Sequence, residues 1–226
     1  MLDGINAVAF DLDGTLYPNY SLNARLLPFL CRHLRLVLAF GKARDIIREE
    51  QEKSPWAVHP DFYEYQAQIV AALLNKTPEQ VKNDIDNLIY RGWEAHFLRI
   101  QIFPHVREFL AELRKSGLKL WLLSDFPPEI KLNNLNLADC WDAVLCSETI
   151  GALKPAIRPF AELADALGCA PDQILYVGNS RSYDAEGALR AGMKTALFTR
   201  CCTYRDKNKA IFTFRNYRQL RDFVLQ

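Results

Sequence analysis

Two carboxylates, Asp11 and Asp13, occupy alternate positions of the run Phe10-Asp11-Leu12-Asp13-Gly14-Thr15-Leu16, and a glycine follows the second at once. At the end of a strand, alternate residues share a side, and glycine permits the sharp turn that folds both acids into one pocket. Carboxylates held that close repel each other unless protons or a cation intervene, and their hard oxygens suit Mg²⁺. An acidic turn of this kind also occurs as a plain solvated loop, so its meaning depends on what else the chain brings to it.

Other polar residues stand in comparable places. Leu118 to Leu123 runs into Ser124-Asp125, Ala143 to Cys146 into Ser147-Glu148, Ile174 to Val177 into Gly178-Asn179, and Thr195 to Phe198 into Thr199. Each is a short, continuous apolar run, the pattern of parallel strands buried on both faces. Amphipathic segments alternate with them and close where helices close: Val106 to Lys115 before Ser116-Gly117, Ile157 to Leu167 before Gly168, Ala185 to Ala191 before Gly192. The fold class this predicts is α/β, a doubly wound, Rossmann-like parallel sheet, in which ligands gather at the carboxyl ends of the strands. The tail from Ile211 is expected to add a strand and a helix.

The alternation stops between Pro18 and Ile102. Helical patterns fill that stretch, at Asn23 to Phe40, Ala43 to Lys53, Phe62 to Leu74 and Pro78 to Leu98, and Thr77-Pro78-Glu79-Gln80 has the form of a helix start. The expected division is a core domain of residues 1–17 and 103–226 and a helical cap domain of residues 18–102. Tyr17, Asn19 and Tyr20 stand close enough in sequence to reach a leaving group. Trp56, His59, Phe62, Tyr63 and Tyr65 read mainly as the inserted block's own core, since aromatics at helical spacing usually pack inward.

Asp11-Leu12-Asp13-Gly14-Thr15-Leu16-Tyr17 resembles the first motif of the haloacid dehalogenase-like hydrolases, in the phosphatase branch with a helical cap after that motif. Three further segments resemble the family's later motifs in order: Leu122-Leu123-Ser124-Asp125, then Lys154 in Leu153-Lys154-Pro155, then Val177 to Asp184 with the helix that follows. The resemblance implies Asp11 as nucleophile, Asp13 as general acid and base, and Lys154 as the cation that neutralises both nucleophile and transferring group. It implies a phosphate held by Thr15, Ser124, Asp125 and Lys154, and Mg²⁺ held about Asp11, Asp13, Asn179 and Asp184. Asn179 departs from the pattern, because the family carries an Asp there. An amide keeps an oxygen for the ion but removes one charge.

The implied activity is Mg²⁺-dependent hydrolysis of a small phosphorylated metabolite through an aspartyl-phosphate. Phosphosugar mutase chemistry and a decayed phosphate-binding or interaction module stand as alternatives. A dehalogenase proper would use the same nucleophile without needing Asp13 or Mg²⁺. The 226 residues carry a formal charge of +1, which gives no reason to expect nucleic acid or an acidic membrane as partner, despite basic runs at Arg200 to Lys209 and Arg215 to Arg221. The apolar stretch from Leu26 to Phe40 is broken by Cys31, Arg32, His33 and Arg35 and is too interrupted to span a bilayer. The N-terminal residues have no leader-like pattern, and six cysteines without zinc-like spacing read as free thiols, so a cytoplasmic enzyme is expected. The adjacent Cys201-Cys202 would bridge only with strain, and the four histidines, His33, His59, His96 and His105, show no ligand grouping. The sequence leaves oligomeric state open.

Overall fold

A computed structural model of the chain describes residues 2–92, 97, 100–200 and 211–226. His96, the Cys201-Cys202 pair, the end of the helical pattern at Leu98 and the basic run beyond Arg200 lie outside the described residues.

Six strands form one sheet: β1 (Ala7–Phe10), β2 (Lys119–Ser124), β3 (Ala143–Cys146), β4 (Ile174–Gly178), β5 (Lys194–Phe198) and β6 (Ile211–Phe214). Their order is β3-β2-β1-β4-β5-β6, and every neighbouring pair is parallel. β1 is central, with Phe10 in register with Leu122 of β2 and Val177 of β4. The chain leaves β1 in one direction and later returns to its other side, which opens a crevice at the carboxyl end of β1.

After β1, among the described residues, come α1 (Asn19–Arg32), α2 (Leu34–Lys53), α3 (Phe62–Leu74) and α4 (Pro78–Asp84), the last running into a π-helical turn at Ile85–Tyr90. After them come α5 (Val106–Lys115), α6 (Glu129–Asn134), α7 (Ser147–Ile150) and α8 (Ile157–Leu167). A π-helical turn at Arg181–Ala185 leads into α9 (Glu186–Arg190), and α10 (Tyr217–Leu225) closes the chain. The strands bury both faces by simple alternation. Val8, Phe10, Leu120, Leu122 and Val177 pack with Phe109 and Leu113 of α5 and Tyr217 and Leu220 of α10. Ala7, Ala9, Leu123 and Tyr176 pack on the other side with Phe160, Leu163 and Leu167 of α8.

The helices between β1 and β2 have an apolar cluster of their own, with Phe40 and Ala43 of α2, Ala67, Val70 and Ala71 of α3, and Val81, Ile85 and Ile89. Leu22 and Leu26 of α1 instead join the core beneath the sheet, alongside Leu12 and Leu16. Thr77 makes the expected start of α4, a capping box in which its side chain and that of Gln80 each accept the other's backbone N–H. One expectation needs correction. The helix read from Asn23 to Phe40 is two helices that part at His33, and the second runs on through Gly41 to Lys53. Glycine costs a helix interior about 1 kcal/mol. Burial of Ala39, Phe40, Ala43 and Ile47 along the same helix outweighs that.

Candidate active site

Asp11 is the first residue beyond β1, anchored by its backbone N–H to the carbonyl of Val177 at 2.9 Å. Its side chain is buried, and each carboxylate oxygen is claimed. Lys154 Nζ donates to Oδ1 at 2.7 Å and Thr15 Oγ1 to Oδ2 at 2.7 Å. Thr15 lies one turn on in the loop that Gly14 makes possible. Gly14 has φ +88°, and a Cβ there would stand 2.3 Å from the Asn179 amide nitrogen. The glycine is therefore needed both for the turn and for the close approach of the β4 loop.

Lys154 is the centre of the cluster. Its ammonium also donates to Asp184 Oδ1 at 2.7 Å and to the Tyr176 hydroxyl at 3.3 Å. Asp184 Oδ2 accepts from the backbone N–H groups of Asn179 and Ser180 at 3.1 and 2.9 Å, tying the loop after β4 into a closed turn. Gly178 is what allows this, since a Cβ there would lie 2.3 Å from the Asp184 Cβ. Burial alone would push the Lys154 ammonium toward neutrality, but Asp11 and Asp184 outweigh it and hold it well above its ordinary range. Burial, with the charge of Asp184 behind it, pushes the Asp11 carboxyl up from 3.8 to about 7, against the pull of Lys154. Three carboxylates, Asp11, Asp13 and Asp184, meet two ammoniums, Lys154 and Lys131, so with every group ionised the cluster carries one negative charge in excess. A buried site with that surplus favours a further cation.

Asp13 points away from Asp11's partners. Lys131 Nζ of α6 donates to its Oδ1 and Oδ2 at 2.7 and 2.6 Å, and the Tyr17 hydroxyl donates to Oδ1 as well. The Ser124 hydroxyl, at the carboxyl end of β2, is wholly buried and has no hydrogen-bond partner among the described residues. Asp125 turns elsewhere. Its carboxylate accepts from the Lys154 backbone N–H at 3.0 Å and from Arg48 of α2 at 3.0 Å, with Arg44 at 3.5 Å. Burial would raise its pKa, but Lys154, Arg48 and Arg44 together hold it below the usual carboxylate value.

Asp11, Thr15, Lys154, Asn179 and Asp184 are thus joined in one hydrogen-bonded cluster, with the Asn179 amide oxygen 3.3 Å from Thr15 Oγ1. The acids do not all converge on one point. The Asp13 carboxylate is taken by Lys131 and that of Asp184 by Lys154. Among the described residues, no three Asp, Glu, His or Cys side chains are grouped to hold a metal ion. The oxygens that do meet, on Asp11 and Asn179 around Thr15, are a carboxylate and an amide.

Lys131, Tyr176, Arg44 and Arg48 stand in or beside the cluster although no sequence pattern singled them out, and Glu148 was marked only as a polar residue at a strand end. Tyr17 was marked as a neighbour of the chemistry, and its hydroxyl does reach Asp13. Tyr20 and Trp56 are exposed, at 62% and 59%, while Phe62 is buried in the block as expected. Arg44 forms a buried ion pair with Glu148, the acid that follows β3, and also donates to Gln66 of α3.

The haloacid dehalogenase-like hydrolase family model matches residues 5–192. A glyceraldehyde 3-phosphate phosphatase of Methanopyrus kandleri is 31% identical over 208 residues, covering 87% of this chain and 84% of that protein. An (S)-2-haloacid dehalogenase of a Pseudomonas strain is 29% identical, covering 88% and 84%. Among solved structures, a HAD phosphatase from Thermococcus onnurineus superposes with a TM-score of 0.68 at 26% identity, covering 97% of this chain and 98% of that one. The chain belongs to the haloacid dehalogenase-like hydrolases, and it is an enzyme of that class. Among the described residues, no helix is long and apolar enough to cross a membrane.

Proposed function

We propose that the protein is a phosphomonoester phosphatase acting on a small phosphorylated metabolite, with Asp11 as nucleophile. The observation that carries this reading is Asp13, an acid two residues beyond the nucleophile with a lysine and a tyrosine holding its carboxylate. A dehalogenase has no leaving alkoxide to protonate, so it has no use for that acid. A phosphatase does.

In the first step an Asp11 oxygen attacks phosphorus as the bond from phosphorus to the ester oxygen breaks. Asp13, carrying a proton, gives it to that oxygen, which leaves as an alcohol. In the second step Asp13 takes a proton from water as the water oxygen attacks the phosphoryl-Asp11. Phosphate leaves and the carboxylate returns. Lys154, already on Asp11, offsets charge gathering on the phosphoryl oxygens. Thr15 and the unpartnered Ser124 hydroxyl supply hydrogen bonds to those oxygens. The Asp125 carboxylate contributes by fixing the Lys154 backbone, since its own negative charge would repel a phosphate.

The oxygen donors fit Mg²⁺: the Asp11 carboxylate, the Asn179 amide and the Asp13 backbone carbonyl are hard ligands beside a cluster with surplus negative charge. Bound there, the ion would supply Lewis-acid stabilisation of the transferring group. Asp184, committed to Lys154 and two backbone amides, would order this loop from behind. Residues 18–102 would act as a cap that closes over the crevice and excludes water.

The test is the response of Asp13→Asn to leaving groups. With an alkyl phosphate, turnover is expected to fall about a hundred-fold to ten-thousand-fold, the usual worth of a general acid. An aryl phosphate, whose phenolate departs with less help, is expected to lose far less in the same step. Equal losses on the two substrates would remove Asp13 from that role.

A further inference from the structure

We infer that Arg48 is a positioning residue for Lys154, and that through it helix α2 of the inserted block sets the peptide carrying the catalytic ammonium. The inference goes beyond the phosphatase reading but rests on it, since it takes Lys154 as the charge that meets the transferring group.

The Lys154 ammonium is held by the strand-end cluster, but its backbone is held largely from the inserted block. Arg48 Nε donates to the Lys154 carbonyl at 2.9 Å, and Arg48 Nη2 to Asp125 Oδ2 at 3.0 Å. The other oxygen of that carboxylate, Oδ1, accepts from the Lys154 N–H at 3.0 Å. One residue back, the Leu153 N–H donates to Gln51 Oε1 at 3.1 Å, and the buried Leu153 side chain packs with Ile47 and Phe62. Further back, the His59 N–H donates to the Gly151 carbonyl at 2.9 Å. Arg44, Arg48 and Gln51 recur at helical spacing, which puts them on one face of α2. The Arg48 guanidinium also sits over the Tyr183 ring, 4.2 Å from its centre, and Tyr183 precedes Asp184, the second carboxylate on Lys154. One side chain of α2 thus touches the segments that carry Asp125, Lys154 and Asp184.

A lysine needs such a hold. Its four-carbon stem is flexible, and in the resting site its ammonium is drawn to Asp11 and Asp184, each 2.7 Å away. Asp11 ceases to be a carboxylate once its oxygen bonds to phosphorus, and Asp184 is then the carboxylate left to pull on the ammonium. A backbone fixed at both its N–H and its C=O limits how far the ammonium can follow. Arg48 suits the task because its planar fork meets a carbonyl and a carboxylate at once. Its Nε and Nη2 are taken by those oxygens and its Nη1 faces Asp45 at 3.9 Å, so it acts through Lys154 and not on the substrate.

The test is turnover of an aryl phosphate with Mg²⁺. Arg48→Ala is expected to lower kcat by about ten- to a hundred-fold, the result of slightly misplacing a catalytic group, with KM within about two-fold of wild type. Circular dichroism at the assay temperature checks that the variant is folded. Arg48 lines a cavity of about 610 Å³ together with the exposed Asp45 and Glu49, so a small cation can enter the vacated space from solvent. Millimolar methylguanidinium is expected to restore most of the lost kcat, and methylammonium, which has the charge without the fork, very little. A purely structural role would cost stability and leave the kcat of folded enzyme alone, and a substrate contact would raise KM instead. Either of those results, or equal rescue by the two cations, overturns the inference and leaves the phosphatase reading standing. Should Arg48→Ala fail to fold with Asp125 buried and uncompensated, the double variant Arg48→Ala, Asp125→Asn removes that charge. It is then compared with Asp125→Asn alone, and the same fall in kcat and the same rescue are expected. A kcat equal to that of Asp125→Asn overturns the inference. No turnover of an aryl phosphate by the wild type defeats the phosphatase reading and this inference with it.

Discussion

Two buried ionic clusters meet at Lys154, whose ammonium serves one and whose backbone N–H serves the other, and they are built to different standards. At the carboxyl end of β1, Asp11, Lys154 and Asp184 satisfy one another and are braced by Thr15 and two backbone amides. Where α2 meets the loops after β2 and β3, Arg44, Arg48, Asp125 and Glu148 also pair, and Gln51 accepts from the Leu153 backbone. Among the described residues, that second cluster leaves Gln51 Nε2, Glu148 Oε2 and the Ser147 hydroxyl without hydrogen-bond partners, and Arg44 Nη2 has only a 3.5 Å ionic contact with Asp125. A buried polar atom without a partner costs about 1–3 kcal/mol, and it recovers that cost on reaching water. Opening the second cluster would let those atoms reach water while costing its ion pairs, whereas the first has little beyond the Ser124 hydroxyl to recover. Bracing is thus fuller at the strand ends than at the seam where α2 meets the loops of the sheet.

Removing Lys154 is the severest way to break this contrast. In Lys154→Met, Asp11 and Asp184 would face each other buried and uncompensated, which for a broken buried pair costs about 3–5 kcal/mol. Urea denaturation at neutral pH is expected to show that loss, together with loss of turnover. A variant as stable as wild type would mean the strand-end cluster is not the braced one.

The seam is tested through Glu148. Burial, the largest influence, together with Asp125 raises its carboxyl from 4.5 to about 7 although Arg44 pulls the other way. The folded protein therefore holds a proton there that the unfolded chain has released. This contribution to stability is full below about pH 4.5 and is lost as pH rises through about 7. The stability of wild type relative to Glu148→Gln is expected to fall across that window by roughly 2–3 kcal/mol. Parallel stability curves for the two proteins would show that Glu148 is ionised throughout, and so that the seam is as well satisfied as the site.

A smaller effect marks a region that belongs to neither cluster. Thr77→Ala removes the exposed capping box of α4, which shares no residue with either cluster, and is expected to cost about 1 kcal/mol in thermal unfolding with turnover of a small aryl phosphate unchanged. A change in kcat there would mean that α4 is coupled to the strand ends, and the separation of the two regions would be less sharp.

What could be read from the chain follows the same division. The strands and the polar residues that end them were legible because a buried parallel strand leaves a continuous apolar run, and the chemistry sits at its last residue. Lys131 was not legible, and Glu148 was legible only as a polar strand end, without its partner. Each acts through a partner more than a hundred positions away, 118 residues for Lys131 with Asp13 and 104 for Glu148 with Arg44. Spacing carries no trace of such pairs. The split at His33 was missed because glycine at 41 is a local signal, whereas the packing of α2 against α3 that overrides it is not local. Asp125 was read as a phosphate contact because it follows Ser124, yet two arginines from the inserted helices claim its carboxylate.

The central claim is that Asp11 becomes phosphorylated. Acid quenching during steady turnover of an aryl phosphate with Mg²⁺, followed by proteolysis and mass spectrometry, measures this directly. The account predicts one added phosphoryl group on the peptide that contains Asp11, absent in Asp11→Asn, whose turnover should fall by at least about ten-thousand-fold. Sustained hydrolysis with that peptide never modified, or with Asp11→Asn as active as wild type, would contradict it.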